Sequence, residues 1–217
     1  NMIGGTIIPT DRTTPDALTV QRLLAQMADA GCAYAVMEVS SHALMQRRTD
    51  GIRFRAGVFT NLTQDHLDYH GTMESYCDAK ARLFDACDIA CVNGDDPWTA
   101  RLLARFCGTR VTFGQDLTND LVGWRARYDS DRVRFTACTD LDHEETEIMI
   151  PGGFSLYNAL AALSAVCALG VPLRDAAKAL AECRGVRGRC EVVSLPAPYT
   201  LIIDYAHTPD GLKNILS

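Results

Sequence analysis

Asp65, His66, Asp68 and His70 fall within six residues of the segment TNLTQDHLDYHG (60–71), directly after the apolar run Ala56 to Phe59. Carboxylates and imidazoles crowded at the end of a strand bring together groups that bind a cation or move a proton. A second cluster, EVSSHAL (38–44), follows another apolar run and adds Glu38, Ser40, Ser41 and His42. Four of the five histidines (His42, His66, His70, His207) lie in turns after apolar runs rather than on polar faces. Taken alone, these residues allow several chemistries. Glu38 suits a hard cation such as Mg²⁺, which needs only one or two carboxylates and keeps its waters for phosphate oxygens. The Asp65 to His70 run is equally a capped turn, with Thr72 opening the next helix. A zinc hydrolase is an alternative from another enzyme class, but zinc favours several imidazoles, and D-H-x-D-x-H lacks the paired histidines of H-x-H-x-D-H. Ser40, Ser41 and His42 could also be read as a nucleophile with its base.

Three further features bear on chemistry. The chain uses eighteen arginines and only three lysines (Lys80, Lys178, Lys213), so a lysine marks a place where a generic cation was not chosen. Lysine can lose its proton and act as a nitrogen nucleophile, which arginine cannot. Gln46, Arg47 and Arg48 follow EVSSHAL and offer an amide and guanidinium forks suited to a phosphate or carboxylate. The pattern G-x-x-x-x-G-K-[ST] does not occur in these 217 residues, and Pro151-Gly152-Gly153 reads as a turn and helix start.

The elements that must position these groups alternate. Thr13-Thr14-Pro15-Asp16 is a helix start, with a hydroxyl N-cap and proline at the first helical position, and the helix runs to Gly31. A buried parallel strand is expected over Tyr34 to Val39. Then come a strand at Ala56 to Phe59, a helix at Met73 to Ala86, a strand at Ile89 to Asn93, a helix at Trp98 to Phe106 and a strand at Arg110 to Phe113. That order predicts an α/β fold with a mostly parallel sheet flanked by helices. Alternating segments at Gly123 to Tyr128, Arg132 to Cys138 and Glu147 to Ile150 predict a small antiparallel β insertion. Helices at Leu156 to Leu169 and Leu173 to Cys183 and strands at Glu191 to Leu195 and Thr200 to Ile203 complete the order. Pro196-Ala197-Pro198 is the expected boundary, dividing a domain over 1–195 from the start of a second α/β domain over 196–217.

Composition narrows the partners. The formal charge of −6, with no cluster of Lys and Arg on one element, argues against nucleic acid. No apolar run approaches the ~20 residues of a membrane span, so no membrane partner is expected. Nine scattered cysteines without C-x-x-C pairs fit a reducing compartment, and the expected location is the cytoplasm. The ends read as interior: Asn1 to Pro9 begins in a strand or turn and Leu212 to Ser217 stops inside a helical pattern, as in a piece of a longer protein.

Together the segments TTPDALT (13–19), MEVSSHAL (37–44), QRR (46–48), TNLTQDHLDYHGTMESY (60–76) with Lys80, NGDDP (93–97), GGFSLYNALAAL (152–163), RGVRGRCE (184–191) and DYAHTPDGL (204–212) resemble the Mur ligase family. Within it they are most similar to the MurE type, which adds the third amino acid of the peptidoglycan stem peptide. The EVSSHAL-to-QRR spacing and DYAHTPD favour that type over other Mur ligases and folylpolyglutamate synthases. The resemblance implies a central, P-loop-NTPase-like ATP-binding domain. It implies that Thr13, Thr14, Ser40, Gln46 and Arg48 bind UDP-N-acetylmuramoyl-L-alanyl-D-glutamate, and that Glu38, His66 and Lys80 form a Mg²⁺ site with Lys80 carbamylated (N6-carboxylysine). Asn158, Asp204 and His207 fall in stretches that contact ATP in relatives. The implied reaction is ATP-dependent amide formation through an acyl phosphate, with diaminopimelate or lysine as the incoming amine, in cytoplasmic cell-wall precursor synthesis. The family's GTNGKTT loop lies upstream of the TTP segment, so the 217 residues alone are expected not to ligate. A non-catalytic module that keeps only the muramyl-peptide site is the alternative from a different class. Ser155 departs from the family, where asparagine is more common. On this reading the opening cluster narrows to His66, with Asp68, Tyr69, His70 and Gly71 as turn and support.

Overall fold

The run Ile89-Ala90-Cys91-Val92 is buried on both faces of its strand, which is what a central parallel strand requires. The computed structural model describes all residues except Asp11, Ser194, Ala197, Pro198, Thr200, Thr208 and Ser217. The expected boundary residues Ala197 and Pro198, and the first residue of the strand expected from Thr200, therefore lie outside the described residues. The chain divides into two compact units, one comprising 1–54, 66–86 and 101–106 and the other 55–65, 87–100 and 107–217.

The second unit is built on a six-stranded sheet in the order β3 (Phe54–Phe59, its first residue in the other unit), β4 (Cys87–Asn93), β5 (Thr109–Gly114), β6 (Leu121–Tyr128), β7 (Val133–Cys138) and β8 (His143–Ile148). β4 and β5 are parallel, with Ile89 opposite Thr109 and Asn93 opposite Phe113. β6 joins β5 in parallel over two residue pairs, then turns antiparallel against β7, and β7 against β8. The antiparallel strands therefore extend the same sheet from its parallel part. A register shift between Trp124 and Arg127 bends β6, where Arg125 takes a positive φ of 52°.

Two helices cover the sheet. α6 (Gly153–Ala168) and α7 (Leu173–Ala181) bury Leu156, Leu160, Leu163, Leu173 and Leu180 against Phe113, Leu121, Val133, Phe135 and Ile148. Burial of this cluster is the main driving force for the unit. Gly123 lets α6 approach: a Cβ there would stand 2.9 Å from a Leu160 methyl and 3.0 Å from a Leu156 methyl. The Thr146 hydroxyl donates to Ala177 O at 3.0 Å and ties β8 to α7. Further on, β9 (Glu191–Val193) pairs antiparallel with β10 (Leu201–Ile203), and α8 spans Pro209–Leu216. No described helix is long and apolar enough to cross a membrane.

The first unit holds a hairpin of β1 (Met2–Ile3) and β2 (Thr6–Ile7), then α1 (Ala17–Asp29), α2 (Ser41–Met45), α3 (Leu67–His70) and α4 (Met73–Ala81). α1 starts later than its hydroxyls suggest. The cap is Asp16, which accepts from Thr19 N at 3.0 Å, because Thr14 is spent on tertiary bonds described below. The helix expected to run to Ala86 ends at Ala81, and the residues Phe84–Ala86 form a separate 3₁₀ turn whose Phe84 packs edge-on to Phe106. α5 is only Thr99–Leu102, shorter than expected from Trp98 to Phe106.

One expected strand is absent among the described residues. Tyr34 to Val39 has no ladder partner, and Tyr34 and Val36 are 70% and 92% exposed. An apolar run becomes a strand only when a neighbour satisfies its backbone groups.

Candidate functional site

In the first unit, four of the five residues expected to bind substrate, Thr14, Ser40, Gln46 and Arg48, lie in one hydrogen-bonded network. The Thr14 side chain is buried; its hydroxyl donates to Glu38 O at 2.9 Å and accepts from Ser40 N at 3.1 Å. Ser40 in turn caps α2 by accepting from Ala43 N at 3.2 Å. Arg48 reaches back over the same turn, with Nη1 donating to Thr14 O at 2.7 Å and Nε to Gln46 Oε1 at 3.0 Å. The guanidinium is thus held in one orientation, and its remaining N–H groups can meet an anion. Thr13 is exposed beside this network.

The residues expected at the cation site occupy α3, α4 and the loop before α2. His66 is the N-cap of α3 and sits in the left-handed region, φ 53°, without a side-chain capping bond. That conformation costs energy for a residue with a Cβ, and such strain clusters at functional positions. Thr72 caps α4 by accepting from Ser75 N at 3.1 Å, as its sequence position suggests. Lys80 lies one helical turn after Tyr76, with Nζ 5.0 Å from the ring centroid. The Tyr76 ring also meets His66 edge-on at 6.0 Å. Glu38 is exposed, with its main chain fixed by Thr14. Among the described residues no three His, Cys, Asp or Glu side chains are grouped to hold a metal. The expected set contains two such residues, and an ammonium at Lys80 would repel a cation. A carboxylate on Nζ would make it an anionic oxygen donor, the donor type that suits Mg²⁺.

Sequence reasoning passed over the aromatic packing around this set. His70 Nε2 is hydrogen-bonded to the buried Ser41 hydroxyl at 2.9 Å, and its ring stacks on Tyr76 at 4.8 Å and 15°. His42 lies 4.3 Å from Tyr69 and 4.9 Å from His66, centroid to centroid. Burial first, then the nearby His42, His66 and Lys80, holds the His70 imidazole below its ordinary value. The i,i+4 spacing of Tyr76 and Lys80 was readable; the Ser41 contact, 29 residues apart, was not.

In the second unit, strand-end loops are stitched around β4. Asn93 Nδ2 donates to Thr60 O at 2.8 Å, and Asp96 accepts from Leu62 N at 2.9 Å. The Asp95 carboxylate accepts from Gln115 N at 2.6 Å, Asn119 Nδ2 at 2.8 Å, Tyr157 OH at 2.9 Å and Asp116 N at 3.2 Å. Burial alone would raise its carboxyl, but these donors outweigh that and hold it below the usual range. Burial and the Asp95 contact push the Tyr157 phenol up to about 12. A Cβ at Gly114 would overlap the Asp95 carboxylate, so the loop closes only around glycine. Asn158 is exposed on α6, next to Tyr157. Asp204 accepts from Cys190 N at 2.7 Å and Ala206 N at 2.6 Å, and His207 Nδ1 lies 2.9 Å from Tyr205 O. The described bonds of Asp204 and His207 are thus to main-chain atoms and do not reach Asn158. Ser155 is buried and donates to Pro151 O at 2.8 Å, which makes it part of the helix start.

Residues 1–166 match the Mur ligase middle domain. The chain belongs to the Mur ligase family. Its relatives include proteins named UDP-N-acetylmuramoyl-L-alanyl-D-glutamate--2,6-diaminopimelate ligase. The Clostridium botulinum one is 40% identical over 100% of this chain and 45% of its own length. The Gloeobacter violaceus one is 47% identical over 94% of the chain and 42% of its own length. A solved structure of a ligase of that name superposes with a TM-score of 0.82 at 32% identity, covering 94% of this chain and 43% of that one. A MurF ligase from Thermotoga maritima in complex with ADP shares the fold alone, with a TM-score of 0.67 at 18% identity over 88% of this chain and 46% of that one. This Mur ligase chain spans less than half the length of these relatives.

Proposed function

We propose that the protein carrying this chain is an ATP-dependent amide ligase of the MurE type, joining diaminopimelate to UDP-N-acetylmuramoyl-L-alanyl-D-glutamate in peptidoglycan precursor synthesis. The observation that carries this reading is the Thr14, Glu38, Ser40, Gln46 and Arg48 network, in a chain matched along its length by ligases named for that reaction. Those names favour diaminopimelate over lysine. Residues 1–195 are assigned to the ATP-binding middle domain and 196–217 to the beginning of the next, although the β9–β10 pairing spans that boundary. The proposed location is the cytoplasm, in keeping with nine cysteines scattered without C-x-x-C pairs.

In the proposed reaction the glutamyl carboxylate attacks the γ-phosphorus of ATP and ADP leaves. The amine then attacks the acyl phosphate carbon, loses its proton and expels phosphate. Catalysis of this kind is positioning and charge neutralisation. Arg48 and Gln46, with Thr13 and the Thr14–Ser40 turn, hold and orient the anionic substrate. Glu38, His66 and carbamylated Lys80 would hold Mg²⁺, which when bound neutralises charge on the transferring phosphoryl group. Asn158, Asp204 and His207 are assigned to the nucleotide, with Asp204 and His207 preset by their main-chain bonds.

The test is a coupled assay of the full-length protein with ATP, Mg²⁺, the UDP-muramoyl dipeptide and diaminopimelate or lysine, with product mass as readout. Ligation of diaminopimelate is expected. Lys80→Ala should abolish it, with partial return on adding a small carboxylate, and normal turnover by Lys80→Ala would sink the carbamate assignment.

A further inference from the structure

We propose that His70 and Tyr76 are positioning residues that join the substrate-binding turn to Lys80 and His66, so that the muramyl-peptide and cation sites are aligned as one unit. The inference rests on the ligase reading above.

The contacts run without interruption. Ser40 is bonded through its N–H to Thr14, and the next residue, Ser41, is 2% exposed with its hydroxyl 2.9 Å from His70 Nε2. The His70 ring lies nearly parallel on the Tyr76 ring, at 4.8 Å and 15°. Tyr76 is 6% exposed, and its ring is a shared wall: the His66 edge meets it at 6.0 Å and Lys80 Nζ stands 5.0 Å from its centroid. His42, on the helix that Ser40 caps, closes the cluster against His66, Tyr69 and His70.

Each contact restricts a different freedom. A hydrogen bond to a buried hydroxyl fixes which imidazole edge faces α2, a stacked pair fixes the ring plane, and a ring beneath Lys80 limits the rotamers of a long, flexible side chain. His66 needs such restraint, because its left-handed backbone, φ 53°, is a conformation that a residue with a Cβ adopts only at a cost. A displacement of the Ser40–Ser41 turn therefore moves His70, then Tyr76, then both groups assigned to the cation. Misplacement of reacting groups by about 1 Å is enough to lower turnover by orders of magnitude.

Steady-state kinetics and a double-mutant cycle in the full-length protein test the inference. Tyr76→Leu should lower kcat at least tenfold and weaken Mg²⁺ binding several-fold, read by calorimetry without turnover, while KM for ATP changes less than twofold. Tyr76→Phe, which keeps the ring, should restore most of the loss. Ser41→Ala with Tyr76→Leu should be non-additive, the pair costing little more than Tyr76→Leu alone. His70→Gln, which keeps a polar group for Ser41 but removes the stacked ring, should reproduce the weaker Mg²⁺ binding even if Tyr76→Leu fails to fold. Folded variants with unchanged Mg²⁺ binding, or effects of Ser41→Ala and Tyr76→Leu that simply multiply, would overturn it. A wild-type protein that does not ligate refutes the underlying ligase reading instead.

Discussion

Thr14→Val is the most informative single substitution, because valine keeps the shape of threonine and removes only the hydroxyl. In the native structure that hydroxyl donates to Glu38 O at 2.9 Å and accepts from Ser40 N at 3.1 Å, at a side chain that is 1% exposed. The substitution leaves a carbonyl and an N–H without their partner. A buried group left unpaired costs about 1–3 kcal/mol, and Glu38 and Ser40 are themselves partly reached by solvent, so the sum should be about 2–3 kcal/mol. Thr14→Ser keeps both bonds and loses one methyl, for about 1 kcal/mol. Since the chain holds two compact units, a single unfolding transition is not assumed. Amide hydrogen exchange of the peptide containing Ser40 reads the local opening directly. Thr14→Val should speed exchange there roughly 30- to 150-fold, and KM for the muramyl dipeptide should rise because Ser40 loses its anchor, whereas Arg48, held by the Thr14 carbonyl, keeps its own. If Thr14→Val and Thr14→Ser agreed within about 0.5 kcal/mol and Ser40 exchange were unchanged, the scaffold role argued for Thr14 would be wrong.

Other expectations follow from the second unit. Asp95→Asn should cost about 1 kcal/mol, kept small because the site is open to solvent. The lowered Asp95 carboxyl means wild-type stability from this group is present above its unfolded value of 3.8 and is lost as pH falls through the lower folded value. Acid titrations of unfolding should therefore show a steeper loss below pH 3.8 in wild type than in Asp95→Asn. Gly123→Ala presses a methyl into Leu156 and Leu160 and should destabilise by about 1–3 kcal/mol, seen in urea denaturation; a neutral result would mean α6 can move away freely. Burial pushes the Cys87 thiol up to about 12 and Cys91 to about 11, whereas Cys107 and Cys183 are exposed. A thiol reagent on the native protein should label the exposed pair first, and early labelling of Cys91 would contradict the packing of β4.

Much of the architecture was legible because runs of apolar residues have a length and period that admit one element. β4, β5, α6 and α7 lie within a few residues of where Ile89 to Asn93, Arg110 to Phe113, Leu156 to Leu169 and Leu173 to Cys183 placed them. The misses came where a local signal met a competing partner. Thr14 looks like a helix cap but is claimed by Glu38 and Ser40, so Asp16 caps α1. Tyr34 to Val39 has the composition of a central strand but no neighbour to pair with among the described residues.

The sequence by itself determined the family, the α/β order and the residue types at the candidate site, because each is written in contiguous motifs whose spacing survives without knowledge of the fold. Tertiary structure decided which of those residues touch. Ser41 meets His70 across 29 positions, and Asp95 meets Tyr157 across 62. Hydrogen bonds and ring stacks between such distant positions depend on how two loops are brought together, and no local periodicity encodes that. It was the structure, too, that stacked His70 on Tyr76 and set Tyr76 beside His66 and Lys80, since a side chain's surroundings are set by what packs against it.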